Sequence, residues 1–193
     1  MKKKIGVIPT ITLKKNHLNV IIETQALNFL KKKFPQYELI LLYEKKKIYV
    51  DILVSLGGNT IYDFEKKPHN LYRFNLDKYY LKKSIKNKIP FLGICYGAQF
   101  LSYFFKSKIK KKDNHTNVNH KINFFNGKNY NVNSFHDYSV VSLGKNLISL
   151  AWTDDESIEA FRHKKHKILG IMWHPERKGN NNIPEKILLK KFL

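Results

Sequence analysis

A cysteine in the middle of the chain occupies a position where a nucleophile would be presented. Cys95 follows the apolar residues 91–94 and precedes a glycine-containing segment that is expected to begin a helix. A thiol at a helix N-terminus lies at the positive end of the helix dipole, which favours the thiolate. Gly97 tolerates the tight backbone that such a turn needs. The pattern indicates a reactive thiol; the alternative is a small buried residue that ends a core strand.

A histidine and a carboxylate lie together after a second apolar run. His174 and Glu176 flank Pro175, directly after residues 168–173. A base beside a thiol can take its proton, and a carboxylate can orient that base. Cys95, His174 and Glu176 would together supply a thiol, a base and a group that orients the base.

Composition predicts one globular domain over residues 1–193. The chain is 42% hydrophobic and 13% aromatic, which suits a packed core. Its single cysteine excludes a disulfide framework within the chain and fits a reducing cytoplasm. No apolar run approaches the roughly 18 residues of a membrane-spanning helix, and the start of the chain is interpreted as a strand rather than a signal peptide. We therefore expect a cytoplasmic protein without a membrane partner.

The charge balance raises the question of a nucleic-acid partner. Lys and Arg number 36 against 15 Asp and Glu, giving a formal net charge of +21. The lysines occur in scattered runs, and no zinc-finger spacing or RNA-recognition motif accompanies them. We interpret the charge as a solvated lysine surface and expect no nucleic-acid binding.

The elements that must position these residues alternate along the first half of the chain. Short apolar runs separated by helix-like stretches predict an α/β fold with a mostly parallel sheet flanked by helices, and the second half is more β-rich. The predicted strands are residues 5–9, 37–43, 51–56, 91–94, 131–141, 147–152, 157–162 and 168–173. The predicted helices are residues 19–33, 71–88, 100–105 and 184–192.

We predict structural roles for one polar segment and for the two tryptophans. Residues 107–120 are predicted to form a loop or the entry to a hairpin. Their two histidines, His115 and His120, are five residues apart with no thiol nearby in the sequence, so we expect both to be exposed and no metal to bind. Trp152 and Trp173 are assigned to core packing.

Four segments occur in order along the chain: Gly57-Gly58, Gly93-Ile94-Cys95-Tyr96-Gly97-Ala98-Gln99, Asn133-Ser134-Phe135-His136 and Trp173-His174-Pro175-Glu176. With these motifs the chain resembles the class I glutamine amidotransferases and their γ-glutamyl hydrolase relatives over nearly its whole length. The resemblance implies a flavodoxin-like glutaminase domain that needs no cofactor and no metal.

The resemblance also implies roles for the motif residues. Cys95 would attack a γ-glutamyl amide to form a thioester, His174 would move protons and Glu176 would orient the imidazole. The backbone N–H groups of Gly58 and Tyr96 would form the oxyanion hole. The implied substrate-binding residues are Gly57, Gln99, His136, Asp137 and Tyr138; each also has a structural alternative, as a turn, helix or strand-surface residue.

The implied substrate is a small γ-glutamyl compound, and two enzymatic alternatives stay open. Residues 157–161 and 170–177 resemble the γ-glutamyl-CDP-amidate hydrolases of bacterial capsule phosphoramidate biosynthesis, and Arg177 could attract the diphosphate. The other alternative is a glutaminase subunit that delivers ammonia to a separate synthase. Arg73 and Asp77 match only part of an Arg-Asp-x-x-Glu motif, which disfavours a γ-aminobutyrate substrate. A basic binding protein without catalysis is a remote third reading.

Overall fold

The structure, a computed structural model, describes residues 2–177 and 183–193. Its strands are, in chain order, β1 (Lys3–Ile8), β2 (Thr10–Lys14), β3 (His17–Ile21), β4 (Tyr37–Leu41), β5 (Ile52–Ser55), β6 (Phe91–Ile94), β7 (Lys108–Lys111), β8 (Thr116–Phe124), β9 (Asn129–Phe135), β10 (Tyr138–Ser142), β11 (Leu147–Trp152), β12 (Ile158–His163) and β13 (Ile168–Ile171). Its helices are α1 (Thr24–Lys33), α2 (Pro68–Asn87), α3 (Tyr96–Phe104) and α4 (Ile183–Phe192).

A mixed sheet organises the described part of the chain. Strands β4, β1, β5, β6 and β13 are neighbours in that order, and every pair among them is parallel. The sheet continues through β12, β11, β8 and β9 with antiparallel pairing. The predicted α/β fold, with a parallel sheet around Cys95 and a β-rich second half, is confirmed.

Helices cover both faces of the parallel strands. One core cluster joins α1 and α4 to side chains such as Val7 and Ile94, and a second joins α2 and α3 to side chains such as Ile8 and Phe91. Successive strand residues therefore enter opposite clusters. A strand buried on both faces has no polar face, which explains why these strands appear in the sequence as continuous apolar runs.

The predicted helix over residues 19–33 is too long at its start. The structure begins α1 at Thr24 and places residues 19–21 in β3, which pairs with β2 in a hairpin. Lys15 and Asn16 have φ values of 48° and 64°, as a two-residue hairpin turn requires. The turn pairs β2 with β3. Val20 and Ile21 therefore lie on a strand and not on the predicted helix.

Two further predictions in the second half need correction. Residues 107–120 contain β7 and the start of β8, so the loop alternative is wrong, whereas the entry to a hairpin is confirmed because β8 pairs with β9. The single strand predicted over residues 131–141 is two strands, β9 and β10, interrupted at His136 and Asp137. Of the two tryptophans assigned to the core, Trp152 is 39% exposed, whereas Trp173 is fully buried as expected. Within the described residues, none of the helices is both long and apolar enough to span a membrane.

Candidate active site

Three neighbouring parallel strands deliver the candidate residues to one edge of the sheet. Gly57 follows β5, Cys95 follows β6 and His174 follows β13, and these strands are adjacent in the order β5, β6, β13. The carboxyl ends of parallel strands lie at the same edge, where open α/β sheets bind their ligands. Residues far apart in the sequence therefore meet because the sheet order brings their strands together.

Cys95 lies on a sharp turn between β6 and α3. Its backbone has φ 50° and ψ −105°, and its N–H donates to the carbonyl oxygen of Ile171 at 2.8 Å. A non-glycine residue in this region is strained, and such strain is typical of a presented nucleophile. The glycines on either side permit the turn: a Cβ at Gly97 would lie 2.3 Å from the carbonyl oxygen of Ser55, and one at Gly93 would lie 2.5 Å from the backbone of Gly97.

The side chains of Cys95, His174 and Glu176 are brought together. His174 Nδ1 lies 2.6 Å from Glu176 Oε1, and the imidazole also hydrogen-bonds with the Cys95 thiol. Gly57 packs against both, since a Cβ there would lie 2.9 Å from His174 Cε1 and 3.7 Å from Cys95 Sγ. All three side chains are almost completely shielded from solvent.

The charges of this cluster favour a thiolate paired with an imidazolium. Burial alone would raise the pKa of Cys95, but the charge of His174 and its hydrogen bond lower it below the usual value of 9.0. Burial would likewise lower the pKa of His174, but Cys95 and Glu176 raise it to about 10. A thiolate is the nucleophilic form of cysteine, so this pair is prepared for attack on a carbonyl carbon.

The two residues expected to supply the oxyanion hole adjoin the nucleophile, since Gly58 follows Gly57, which packs against Cys95, and Tyr96 follows Cys95 in the chain. Gly58 has φ 95°, and its loop is fixed because Thr10 Oγ1 donates to the carbonyl oxygen of Gly57 at 2.7 Å. Tyr96 is the first residue of α3, where backbone N–H groups have no acceptor within the helix. The loop after β5 and the start of α3 therefore offer donors beside the thiol.

A buried arginine that the sequence left without a role holds these loops. Arg73 on α2 is fully buried and donates to the backbone oxygens of Pro9 and Leu56, the latter at 2.7 Å. Its Nε pairs with Asp77 Oδ2 at 2.7 Å, and its guanidinium lies 4.7 Å from the centre of the Tyr96 ring. One side chain thus links the ends of β1 and β5 to the start of α3.

Replacing this arginine is expected to destabilise the protein strongly. Arg73→Met leaves the Asp77 carboxylate buried without its partner, a change that typically costs about 3–5 kcal/mol. The double variant Arg73→Met/Asp77→Leu removes both charges and should recover part of that loss. Urea unfolding of both variants measures the difference, and equal stability of Arg73→Met and the unmodified protein would contradict the assigned role.

Asn133 is a second positioning residue that the motif alone did not explain. Its side chain donates from Nδ2 to the carbonyl oxygen of His174 at 3.0 Å and accepts from the His174 N–H at 2.8 Å. Because the amide binds both backbone groups of His174, it fixes the segment that carries the imidazole. The signal in the sequence was the Asn133-Ser134 pair on a β-rich segment, but its role depends on the contact of Asn133 with the backbone of His174, which only the fold shows.

The remaining predicted substrate-binding residues lie in different environments. Gln99 is buried, and its Nε2 donates to the carbonyl oxygen of Tyr138 at 2.9 Å. Tyr138 begins β10 and stacks on Phe64 with 4.8 Å between ring centres. Asp137 is exposed and accepts from Thr116 at 2.6 Å. The side chain of Gln99 is therefore in contact with the backbone of Tyr138, whereas Asp137 faces solvent.

His136 lies deeper than a strand-surface residue would, and the expected exposure of His115 is wrong. His136 and His115 are both buried, with ring centres 5.2 Å apart. His120 is largely covered as well, with a side-chain exposure of 16%. A carboxylate distant in the sequence reaches them from β12, because Glu159 lies among the three rings.

A pocket opens beside the candidate nucleophile. It is lined by Thr10, Glu23, Ala26, Leu56, Gly57, Gly58, His174, Glu176 and Arg177. Arg177 pairs with Glu23 at 2.8 Å and lies 4.6 Å from the centre of the Phe135 ring. The pocket therefore places the imidazole, a glycine turn and a guanidinium around one space.

The chain is similar in sequence to several known proteins. The family model "Glutamine amidotransferase class-I" matches residues 16–192. The γ-glutamyl-CDP-amidate hydrolase of Campylobacter jejuni is 38% identical over 148 residues, which cover 76% of this chain and 72% of that protein. A glutamine-hydrolysing GMP synthase subunit of Picrophilus torridus is 32% identical over 113 residues, which cover 54% of this chain and 58% of that protein.

Solved structures share the fold. A glutamine amidotransferase from Thermotoga maritima superposes with a TM-score of 0.67 at 19% identity, over 91% of this chain and 77% of that chain. A glutamine amidotransferase from Methylobacillus flagellatus superposes with a TM-score of 0.63 at 10% identity, over 92% of this chain and 72% of that chain. At such low identity the likeness concerns the fold.

Proposed function

Because the chain belongs to the class I glutamine amidotransferase family, whose members hydrolyse glutamyl amide bonds, we propose that Cys95 is its nucleophile and that a γ-glutamyl nucleoside diphosphate amidate is its substrate. The observation that carries the proposal is the Cys95–His174–Glu176 cluster at the carboxyl ends of three parallel strands. We further propose that residues 1–193 act as one domain; the family match over residues 16–192 supports this.

In the proposed first half-reaction the Cys95 thiolate attacks the side-chain carbonyl of the γ-glutamyl group. The carbonyl oxygen gains the negative charge, and the backbone N–H groups of Gly58 and Tyr96 donate to it. The imidazolium of His174 gives its proton to the departing nitrogen as the C–N bond breaks. A γ-glutamyl thioester remains on Cys95, and the amine or amidate leaves.

In the proposed second half-reaction water hydrolyses the thioester. His174, now neutral, takes a proton from the water as the water oxygen bonds to the carbonyl carbon. The C–S bond then breaks, glutamate leaves, and the thiolate is again paired with the imidazolium. Glu176 holds Nδ1 of the imidazole, so that the other ring nitrogen faces the reacting atoms throughout.

The choice of a nucleotide-linked substrate rests on similarity and charge. The hydrolase of Campylobacter jejuni, whose name gives its substrate as γ-glutamyl-CDP-amidate, is the relative with 38% identity. Arg177 lines the pocket beside Gly57 and His174, where it could contact a diphosphate. The same proposal assigns the reaction to the cytoplasm and to the phosphoramidate modification of a surface polysaccharide.

A glutaminase subunit is the second candidate function. It is favoured by the 32% identity with the GMP synthase subunit of Picrophilus torridus. The purified chain distinguishes the two candidates when glutamate release is measured without any partner on glutamine and on a γ-glutamyl nucleoside diphosphate amidate. We expect a much larger kcat/KM for the amidate. If neither substrate released glutamate until a synthase was added, the second candidate would be established.

Arg177 provides a prediction specific to the diphosphate. Arg177→Gln removes the guanidinium beside the pocket, so KM for the γ-glutamyl nucleoside diphosphate amidate should rise about tenfold, the value of one charged contact. KM for glutamine, which has no phosphate, should change little. Lys165→Gln is the matched control, because Lys165 precedes β13 and so lies at the opposite end of that strand from His174. An equal rise in KM for both substrates would contradict a phosphate contact.

The paired charges predict an unusual pH profile. Since the pKa of Cys95 lies below 9.0 and that of His174 is raised to about 10, kcat/KM should stop rising before pH 9 and fall only as His174 loses its proton near pH 10. Glu176→Gln removes one of the groups that raise the pKa of His174, so its alkaline fall should begin at lower pH. A rate that climbs through pH 9, as for an unperturbed thiol, would contradict the ion pair.

A further inference from the structure

A cluster of buried titratable side chains lies outside the proposed reaction. His115 precedes β8, His120 lies on β8, His136 lies between β9 and β10, and Glu159 lies on β12. Glu159 is fully buried, and His115 and His136 are exposed by only 4% and 2%. Separate segments thus converge on one carboxylate in the interior, although nothing in the proposed reaction uses Glu159.

The polar atoms of this cluster are left without hydrogen-bond partners. Among the described residues, both carboxylate oxygens of Glu159, both ring nitrogens of His136, Nδ1 of His115 and Nε2 of His120 are buried and unpaired. Burying one polar group without a partner costs about 1–3 kcal/mol, and a carboxylate costs more. So many unpaired atoms facing each other indicate that a further group belongs among them.

The spacing of these atoms suits a metal ion better than direct hydrogen bonds. Glu159 Oε1 lies 3.4 Å from His136 Nε2 and 3.7 Å from His115 Nδ1, while Glu159 Oε2 lies 3.5 Å from His120 Nε2. Hydrogen bonds of this kind are about 2.7–3.2 Å long. Ligand atoms about 2.0–2.1 Å from a tetrahedral zinc ion stand about 3.4 Å apart. The separations observed here are close to the separation between the ligand atoms of a zinc ion.

A second carboxylate orients one of the imidazoles. His115 Nε2 lies 3.0 Å from Asp155 Oδ2, so the ring can donate its N–H there and turn the lone pair of Nδ1 toward Glu159. A carboxylate behind a ligating histidine is the usual support of a protein metal site. Asp155 and Glu159 together carry two negative charges, which would balance a divalent cation. Lys112 Nζ donates to Asp155 Oδ2 at 2.8 Å. The groups that face Glu159 are the imidazoles.

We propose that His115, His136 and Glu159 bind one divalent transition-metal ion, with zinc as the first candidate. Their nearest ligand atoms all lie within 4.8 Å of one another, and His120 lies beside the second oxygen of Glu159, from where it could complete four-coordination. Imidazole and carboxylate ligands suit zinc and its neighbours in the first transition row. The ion would tie β8 and β12 to the turn between β9 and β10.

The test measures metal binding rather than activity. The full chain is stripped with a chelator and dialysed, and Zn²⁺ is then titrated against a competing coloured chelator, with the bound metal counted by mass spectrometry. The variants Glu159→Gln and His115→Ala remove ligands. Cys95→Ala removes the only thiol, the other group that could capture zinc, and His17→Ala removes an exposed histidine at the tip of the β2–β3 hairpin.

We expect one zinc ion per chain in the unmodified protein, in Cys95→Ala and in His17→Ala, and at least a hundredfold weaker binding in Glu159→Gln and His115→Ala. Saturating zinc should raise Tm by about 5–10 °C, because the ion binds only the folded state. Absence of binding by the folded, unmodified chain would overturn the proposal. So would binding that survives both ligand substitutions or disappears in Cys95→Ala.

A spectroscopic measurement on the unmodified protein covers the case in which the ligand variants fail to fold. Co²⁺ substituted for zinc should give the visible absorption of a tetrahedral site with nitrogen and oxygen ligands, without the near-ultraviolet band of a cobalt–thiolate bond. The spectrum should be the same in Cys95→Ala. A thiolate band that vanishes in this variant would place the metal at Cys95 and His174 and contradict the proposal.

Discussion

Cys95→Ser is expected to lower kcat for any γ-glutamyl substrate by about 10⁴-fold or more. The serine hydroxyl is nearly the size of the thiol, so the strained turn before α3 should keep its backbone. An alcohol does not ionise beside an imidazole as a thiol does, so the paired charges that lower the pKa of Cys95 are lost. The measurement is steady-state glutamate release, with circular dichroism and Tm to show that the variant is folded.

Ser102→Ala is the matched control for this substitution. Ser102 is a buried hydroxyl on α3, and it donates to the carbonyl oxygen of Gln99 within its own helix. Its loss should change stability slightly and leave the rate within a few-fold of the unmodified protein. Turnover of Cys95→Ser within tenfold of the unmodified chain would contradict a cysteine nucleophile.

His174→Ala should have the second largest effect, lowering kcat by about 10³- to 10⁴-fold. The thiol loses the cation that stabilises its anion, and the departing nitrogen loses its proton donor. His174 acts through the Cys95 thiolate, which Cys95→Ser has already removed. The double variant Cys95→Ser/His174→Ala should therefore be scarcely slower than Cys95→Ser alone. Groups that act as one unit fail together in this way.

His17→Ala is the control for the loss of an imidazole. His17 is exposed at the tip of the β2–β3 hairpin, so its removal should leave glutamate release unchanged. If the effects of Cys95→Ser and His174→Ala multiplied in the double variant, the two side chains would act independently, and the proposed thiolate–imidazolium pair would be wrong.

The proximity of Cys95 and His174 could be predicted from the sequence because both residues closely follow buried strands. Cys95 and His174 each follow a continuous apolar run, which is typical of a parallel strand covered on both faces. Once β6 and β13 are adjacent, their carboxyl ends bring the thiol and the imidazole together. Local pattern and fold class therefore agree at this edge of the sheet.

The supporting residues could not be predicted because their partners are distant in the sequence. Arg73 lies on α2, yet its guanidinium binds the ends of β1 and β5, and the sequence offers no sign of these contacts. Asn133 binds the backbone of His174 across 41 positions. Positions of this kind depend on the order of strands in the sheet, and periodicity within one segment does not contain that order.

The predicted exposure of His115 and the predicted start of the first helix are wrong for different reasons. The residues next to His115 and His120 in the sequence do not indicate burial, but Glu159 reaches both from β12, a strand that is antiparallel to β13. Helical periodicity includes Val20 and Ile21, but the turn at residues 15–16 folds them into a strand that leaves them 40% and 45% exposed. Long-range contact decides the first case, and turn geometry decides the second.

The most direct measurement of the central claim uses the fact that Cys95 is the chain's only cysteine. A thiol reagent such as iodoacetamide can therefore modify one thiol, and intact mass gives the modified fraction at each time. We expect glutamate release to fall in proportion to that fraction, and a saturating γ-glutamyl substrate to slow the alkylation and the loss of activity equally. Full glutamate release by a completely alkylated chain would contradict a γ-glutamyl thioester at Cys95.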